Sequence, residues 1–152
     1  MQQLAGNETQ AKYQEIIINK SNKYAKLYYT PGSLMIIRSQ RKKNALVTAL
    51  ADEEMLKIMN SVMHRSKSFN EIAAENGDIP RTSAFRKIKW LLNEDILIVD
   101  KIVITPAGKK FSLFQCTLRA INVKYEDNDV IVEAEQNIDI PKKWAMKFFS
   151  LD

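Results

Sequence analysis

The sequence predicts an α+β fold in which helices come first and antiparallel hairpins follow. Apolar residues recur at helical spacing between Asp52 and Glu94, and capping signals with a Gly77-Asp78 turn divide that stretch into separate helices. From Ile96 onward β-branched runs separated by turn residues take over.

Asp52 is a good helix cap, and Glu53 and Glu54 sit where the positive end of the helix dipole favours anions. Met55, Ile58, Met59 and Val62 then face inward, and His64, Arg65 and Lys67 fall toward the opposite end. The dipole accounts for His64 there better than proton transfer does. Ser68-Phe69-Asn70-Glu71 is a capping box: the Ser68 hydroxyl accepts the Glu71 amide while the Glu71 carboxylate reaches back. The helix it starts carries Phe69, Ile72 and Ala73 on one side, and Gly77 is expected to end it in a left-handed turn. A helix this short is marginal alone and needs its neighbours. The next helix spans 80–94, with Pro80 in the first turn, where a missing amide costs nothing. Ala84, Ile88 and Leu91 form its buried stripe. Arg81, Thr82, Phe85, Arg86 and Lys89 fall on the other side, with no acid until Glu94.

Residues 96–99 and 102–104 then read as strand, 105–110 as a turn with Gly108, Lys109 and Lys110 at its tip, and 111–119 as the returning strand. A second hairpin, 120–125 and 130–135, turns across Glu126-Asp127-Asn128-Asp129. Ile121, Val123 and Tyr125 alternate with polar residues, so one face is expected to be buried and the hairpin to extend the first one's sheet. Residues 140–151 begin near Pro141 and place Trp144, Phe148 and Leu151 at helical spacing. Such a helix either packs back on its own domain or docks on the same helix of a second chain; the homodimer is the preferred expectation. This order is that of a winged helix-turn-helix, a three-helix core plus an antiparallel β wing, here extended by a second β-hairpin and a C-terminal helix. It is a shape that presents one helix to a nucleic-acid groove.

Residues 1–45 show no sustained helical period and read as a basic, partly flexible extension. Within them Glu15-Ile16-Ile17-Ile18 and Leu34-Met35-Ile36-Ile37 read as short strands on either side of the Thr30-Pro31-Gly32-Ser33 turn. Arg38, Arg41, Lys42 and Lys43 read as a solvated linker, with an arm following a groove or phosphate backbone as the alternative. The organisation expected is therefore 1–45 extension, 46–137 winged-helix domain and 138–152 terminal amphipathic helix.

The run from Ile79 through Pro80-Arg81-Thr82-Ser83-Ala84-Phe85-Arg86-Lys87-Ile88-Lys89-Trp90-Leu91-Leu92 to Ile96-Leu97 resembles the recognition-helix segment of archaeal winged-helix regulators of the ArsR-like type. The resemblance covers roughly residues 50–137. It implies that Arg81, Thr82, Phe85, Arg86 and Lys89 face DNA and that Gly108, Lys109 and Lys110 form the wing tip. Asp95 stands where that family usually has a glycine in a left-handed turn, which aspartate tolerates better than most residues. The family's metal-sensing branch uses clusters of Cys, His and carboxylates, whereas this chain has one Cys and one His. No metal or other cofactor is expected.

The formal charge of +5 is unevenly spread. Residues 1–50 carry eight Lys or Arg against Glu8 and Glu15, while residues 126–139 hold six acids and no base. A polyanion would orient such a molecule. Cys116 can form no internal disulfide; it reads as a buried inert thiol, with a redox switch as the alternative. No apolar run reaches the length of about 20 residues that crosses a bilayer, and the start lacks signal-peptide features. The expectation is a cytoplasmic protein. A Gly-rich phosphate loop, a His-Glu-x-x-His motif and paired cysteines for zinc are all missing, so an enzyme is not expected. The function expected is sequence-specific binding of double-stranded DNA in transcription regulation. Arg81 and Arg86 would pair with guanine, Thr82 or Phe85 touch a thymine methyl, and Lys89, Lys109 and Lys110 hold phosphates. The alternatives are a protein-docking module of a transcription or other nucleoprotein assembly, and an RNA-binding protein.

Overall fold

The computed structural model describes residues 34–137. Strands proposed near residue 16 and the apolar tail with Trp144, Phe148 and Leu151 lie outside the described residues. The fold is α+β, with four helices and two three-stranded antiparallel sheets among the described residues. In chain order the elements are β1 (Leu34–Ile36), α1 (Gln40–Ala51), α2 (Glu53–Ser61), β2 (Lys67–Ser68), α3 (Phe69–Glu75), α4 (Arg81–Asn93), β3 (Leu97–Ile104), β4 (Lys110–Cys116), β5 (Leu118–Glu126) and β6 (Asp129–Gln136). One sheet has the order β2-β4-β3 and the other β1-β6-β5.

Local signals hold where they are strongest. Asp52 caps α2 by accepting the Met55 amide at 3.0 Å. Ser68 and Glu71 form the reciprocal capping box at 3.2 and 2.8 Å. Asp95 adopts a left-handed backbone with φ 60°, and the turn after β3 closes through Gly108 at φ 82°. Thr105 and Lys109 lock that turn through the Thr105 amide, which donates to the Lys109 carbonyl at 2.8 Å.

Several expectations are corrected. Arg41, Lys42 and Lys43 are not in a linker or arm but in the first turn of α1, capped by Ser39, so a boundary at 45/46 would cut a helix. Lys42 is only 6% exposed and shares the buried side of α1 with Ala45, Leu46 and Ala49. α3 ends at Asn76, whose Nδ2 donates to the Ile72 carbonyl, and Gly77 is not in the left-handed region. Pro80 occupies the cap position, one residue before α4. His64 and Arg65 lie just past the end of α2, which is capped at Val62.

The returning strand stops at Cys116, and β5 begins at Leu118. Thr117 between them switches the chain from one sheet to the other. Its amide donates to the Ile96 carbonyl, and its hydroxyl lies 2.9 and 3.0 Å from the carbonyls of Asp95 and Ile96. The second hairpin therefore does not extend the first sheet. β6 pairs instead with β1, in the register Met35 to Ala134. The buried face expected on it holds on β6, where Val132 and Ala134 are fully buried, and fades along β5, where Val123 and Tyr125 are 40% and 72% exposed. Both sheets share one core, in which Leu46, Ile58, Ile72, Leu91, Leu97, Leu118 and Val132 are fully buried. Asn137 bolts this junction together: its Nδ2 donates to the carbonyls of Met63 and Cys116 at 2.6 and 2.9 Å. Unpaired, those buried carbonyls would be costly.

Candidate nucleic-acid interface

The outward side of α4 follows from what its inward side must bury. Ala84, Ile88 and Leu91 sit in the core, which turns Arg81, Thr82, Phe85, Arg86 and Lys89 to solvent. Two ties hold the helix in that rotation. Lys87, with 15% of its side chain exposed, reaches Asp52 at 2.6 Å and Glu54 at 3.6 Å, joining α4 to the start of α2. Burial works against ionisation of Asp52, but the Lys87 hydrogen bond, the Met55 amide and the Lys87 charge outweigh it, and the carboxyl stays below its ordinary value. At the other end the Ile96 amide donates to the Leu91 carbonyl at 3.0 Å, so the left-handed Asp95 sends the chain straight into β3.

The helix start is built jointly with α3. The Phe85 ring meets the Phe69 ring edge to face, with centroids 5.8 Å apart and planes at 83°. The Arg81 guanidinium lies 5.0 Å from the Phe69 ring centre, and its Nη2 donates to Asn70 Oδ1 at 2.9 Å. Phe69 and Asn70 are therefore part of this surface, and sequence reading did not include them in the site. The capping box was the available signal, since it places both residues in the first turn of the preceding helix.

Ion pairs occupy several cations on other parts of the surface. Arg41 pairs with Glu94, Lys57 with Asp78, Arg65 with Glu71, Lys67 with Glu75 and Lys124 with Glu126. Hydrogen bonds from Lys67 and Lys57 hold the Glu75 and Asp78 carboxyls below their ordinary values. Among the described residues no carboxylate engages Arg86 or Lys89, nor Lys109 or Lys110 at the tip of the β3–β4 hairpin. The structure groups Arg81, Thr82, Phe85, Arg86 and Lys89 on one helix face. It keeps Lys109 and Lys110 on a separate element, with no hydrogen bond, ion pair or ring contact to α4 among the described residues.

No group of three or more His, Cys, Asp or Glu side chains is placed to hold a metal ion among the described residues. Cys116 is fully buried, its thiol pushed up to about 11 by desolvation, with Sγ 3.3 Å from the Leu118 carbonyl. A thiol in that state is a poor nucleophile. No helix among the described residues is long and apolar enough to cross a membrane. The chain matches no protein-family model, no curated protein and no solved structure.

Proposed function

We propose that the chain is a sequence-specific, double-stranded-DNA-binding regulator of transcription, with α2, α3, α4 and the β3–β4 hairpin acting as a winged helix-turn-helix. The observation that carries this reading is the exposed outer face of α4, which holds Arg81, Arg86 and Lys89 and no acid. Among the described residues no carboxylate engages Arg86 or Lys89 there, nor Lys109 or Lys110 at the hairpin tip. Cations left unneutralised on an exposed helix face and a hairpin tip suit a polyanion. In this reading α4 enters the major groove, Arg86 makes paired hydrogen bonds to guanine, and Lys89, Lys109 and Lys110 hold phosphates. The chain acts in the cytoplasm as a homodimer through Trp144, Phe148 and Leu151, an assignment that rests on the apolar spacing of the tail alone.

The test is selection of binding sites from random duplex DNA at two salt concentrations. An enriched motif, with inverted halves about one helical turn apart, supports a sequence-reading dimer. Retention without enrichment that vanishes at higher salt means backbone attraction only. A protein-docking role is the second reading, and the β3–β4 hairpin favours it: Ile102 and Ile104 share one face of β3 and are 65% and 63% exposed. No DNA retention even at low salt, together with a stable hetero-complex, would select that reading.

A further inference from the structure

Among the outward residues of α4, Phe85 is the one that a purely electrostatic role leaves unexplained. It is a large apolar ring, 59% exposed, between Arg81 and Lys89 one helical turn away on either side and next to Arg86. Phenylalanine offers a nucleic acid neither a hydrogen bond nor charge. The major-groove edge of a duplex presents a single apolar group, the C5 methyl of thymine, and the minor groove presents none.

The ring is also held in place. Phe69 meets it edge to face at 5.8 Å, and Phe69 is in turn covered by the Arg81 guanidinium at 5.0 Å, which Asn70 anchors at 2.9 Å. A ring fixed before binding loses little rotamer freedom when it makes contact. The same geometry commits Arg81: one of its nitrogens and the face of its guanidinium already serve α3. From this, resting on the DNA-binding reading above, we infer that Phe85 is a specificity-determining residue that reads a thymine methyl, and that Arg81 is a positioning residue for it rather than a second guanine reader. The thymine lies within one or two base pairs of the guanine that Arg86 contacts, since the two residues are neighbours on one helix.

The experiment starts from the duplex enriched by the full-length protein from random DNA and replaces each thymine in turn by deoxyuridine, which removes only the methyl. Affinities are measured for the wild type, Phe85→Ala and Arg81→Lys. One replacement is expected to weaken the wild type about four-fold, the worth of one buried methyl, and to leave Phe85→Ala unaffected. Arg81→Lys keeps the charge but loses the planar contact with Phe69, so it should lose most of the thymine preference with an unchanged salt slope. Phe85→Ala gives up the edge contact with Phe69, so its urea midpoint should fall slightly, and affinities are measured under conditions where both proteins are fully folded. If no replacement weakens the wild type, or the same one weakens Phe85→Ala equally, the inference is overturned while DNA binding stands. If Arg81→Lys keeps the full preference, the positioning role is overturned. If no duplex is enriched at all, the DNA reading falls and the inference with it.

Discussion

Asp52→Ala should remove two supports at once, because this carboxylate serves α2 and α4 together. One oxygen accepts the Met55 amide at 3.0 Å and the other receives Lys87 at 2.6 Å. Loss of an aspartate cap costs about 1 kcal/mol. Exposed ion pairs are worth about 0 to 1 kcal/mol, and breaking a buried one costs about 3 to 5 kcal/mol. With 15% of the Lys87 and 27% of the Asp52 side chain exposed, this pair falls between those classes. Glu54, 3.6 Å from Lys87, recovers part of the loss. The expected total is about 2 to 3 kcal/mol, or a fall in Tm of roughly 10 °C. Urea unfolding followed by far-UV circular dichroism measures it, on the wild type, Asp52→Ala, Lys87→Met and the double variant. The cycle should return a coupling of about 1 kcal/mol. A coupling within error of zero would refute the claim that this pair fixes α4 against α2. The pH dependence gives an independent check. The Asp52 carboxyl is depressed in the fold, so its contribution is complete above the unfolded value of about 3.9 and is lost as pH falls through the lower folded value. The stability gap between wild type and variant should thus be flat from about pH 5 to about pH 8 and close below about pH 4.

Arg86→Ala should relax base preference at one position at a cost of about 1 to 3 kcal/mol; equal losses on the enriched and random duplexes would remove Arg86 from the base-reading set. Lys109→Ala should weaken all sequences alike and reduce the slope of log affinity against log salt by about 0.9, which titration at several salt concentrations measures. Asn137→Ala leaves the Met63 and Cys116 carbonyls without their shared donor. It should cost about 2 to 3 kcal/mol in urea unfolding, and a loss below about 0.5 kcal/mol would mean those carbonyls find other partners. The Cys116 thiol should resist a thiol-specific reagent in the folded protein near neutral pH and react fully in denaturant. Rapid labelling of the native protein would revive the redox-switch alternative.

What the sequence determined by itself was the structure written within a turn or two of chain. Asp52 with Met55, Ser68 with Glu71, and the Ala84, Ile88 and Leu91 stripe are local relations, and they placed α2, α3 and α4 and thereby turned Arg81, Thr82, Phe85, Arg86 and Lys89 outward. The left-handed Asp95 was expected from the family resemblance, as the position where that family usually has glycine. α1 was not, because its buried side consists of Lys42, Ala45, Leu46 and Ala49, a weak apolar stripe that only the surrounding core makes into an inward face. Sheet membership was decided by tertiary structure as well. Leu34 pairs with Glu135 across almost the whole described chain, and nothing local to the second hairpin distinguishes joining β1 from extending β3–β4. Tertiary structure likewise brought Phe69 and Asn70 against Phe85 and Arg81, and chose which cations found a carboxylate. Spacing along a helix can say which way a side chain points, but its partners are set by how separate elements pack.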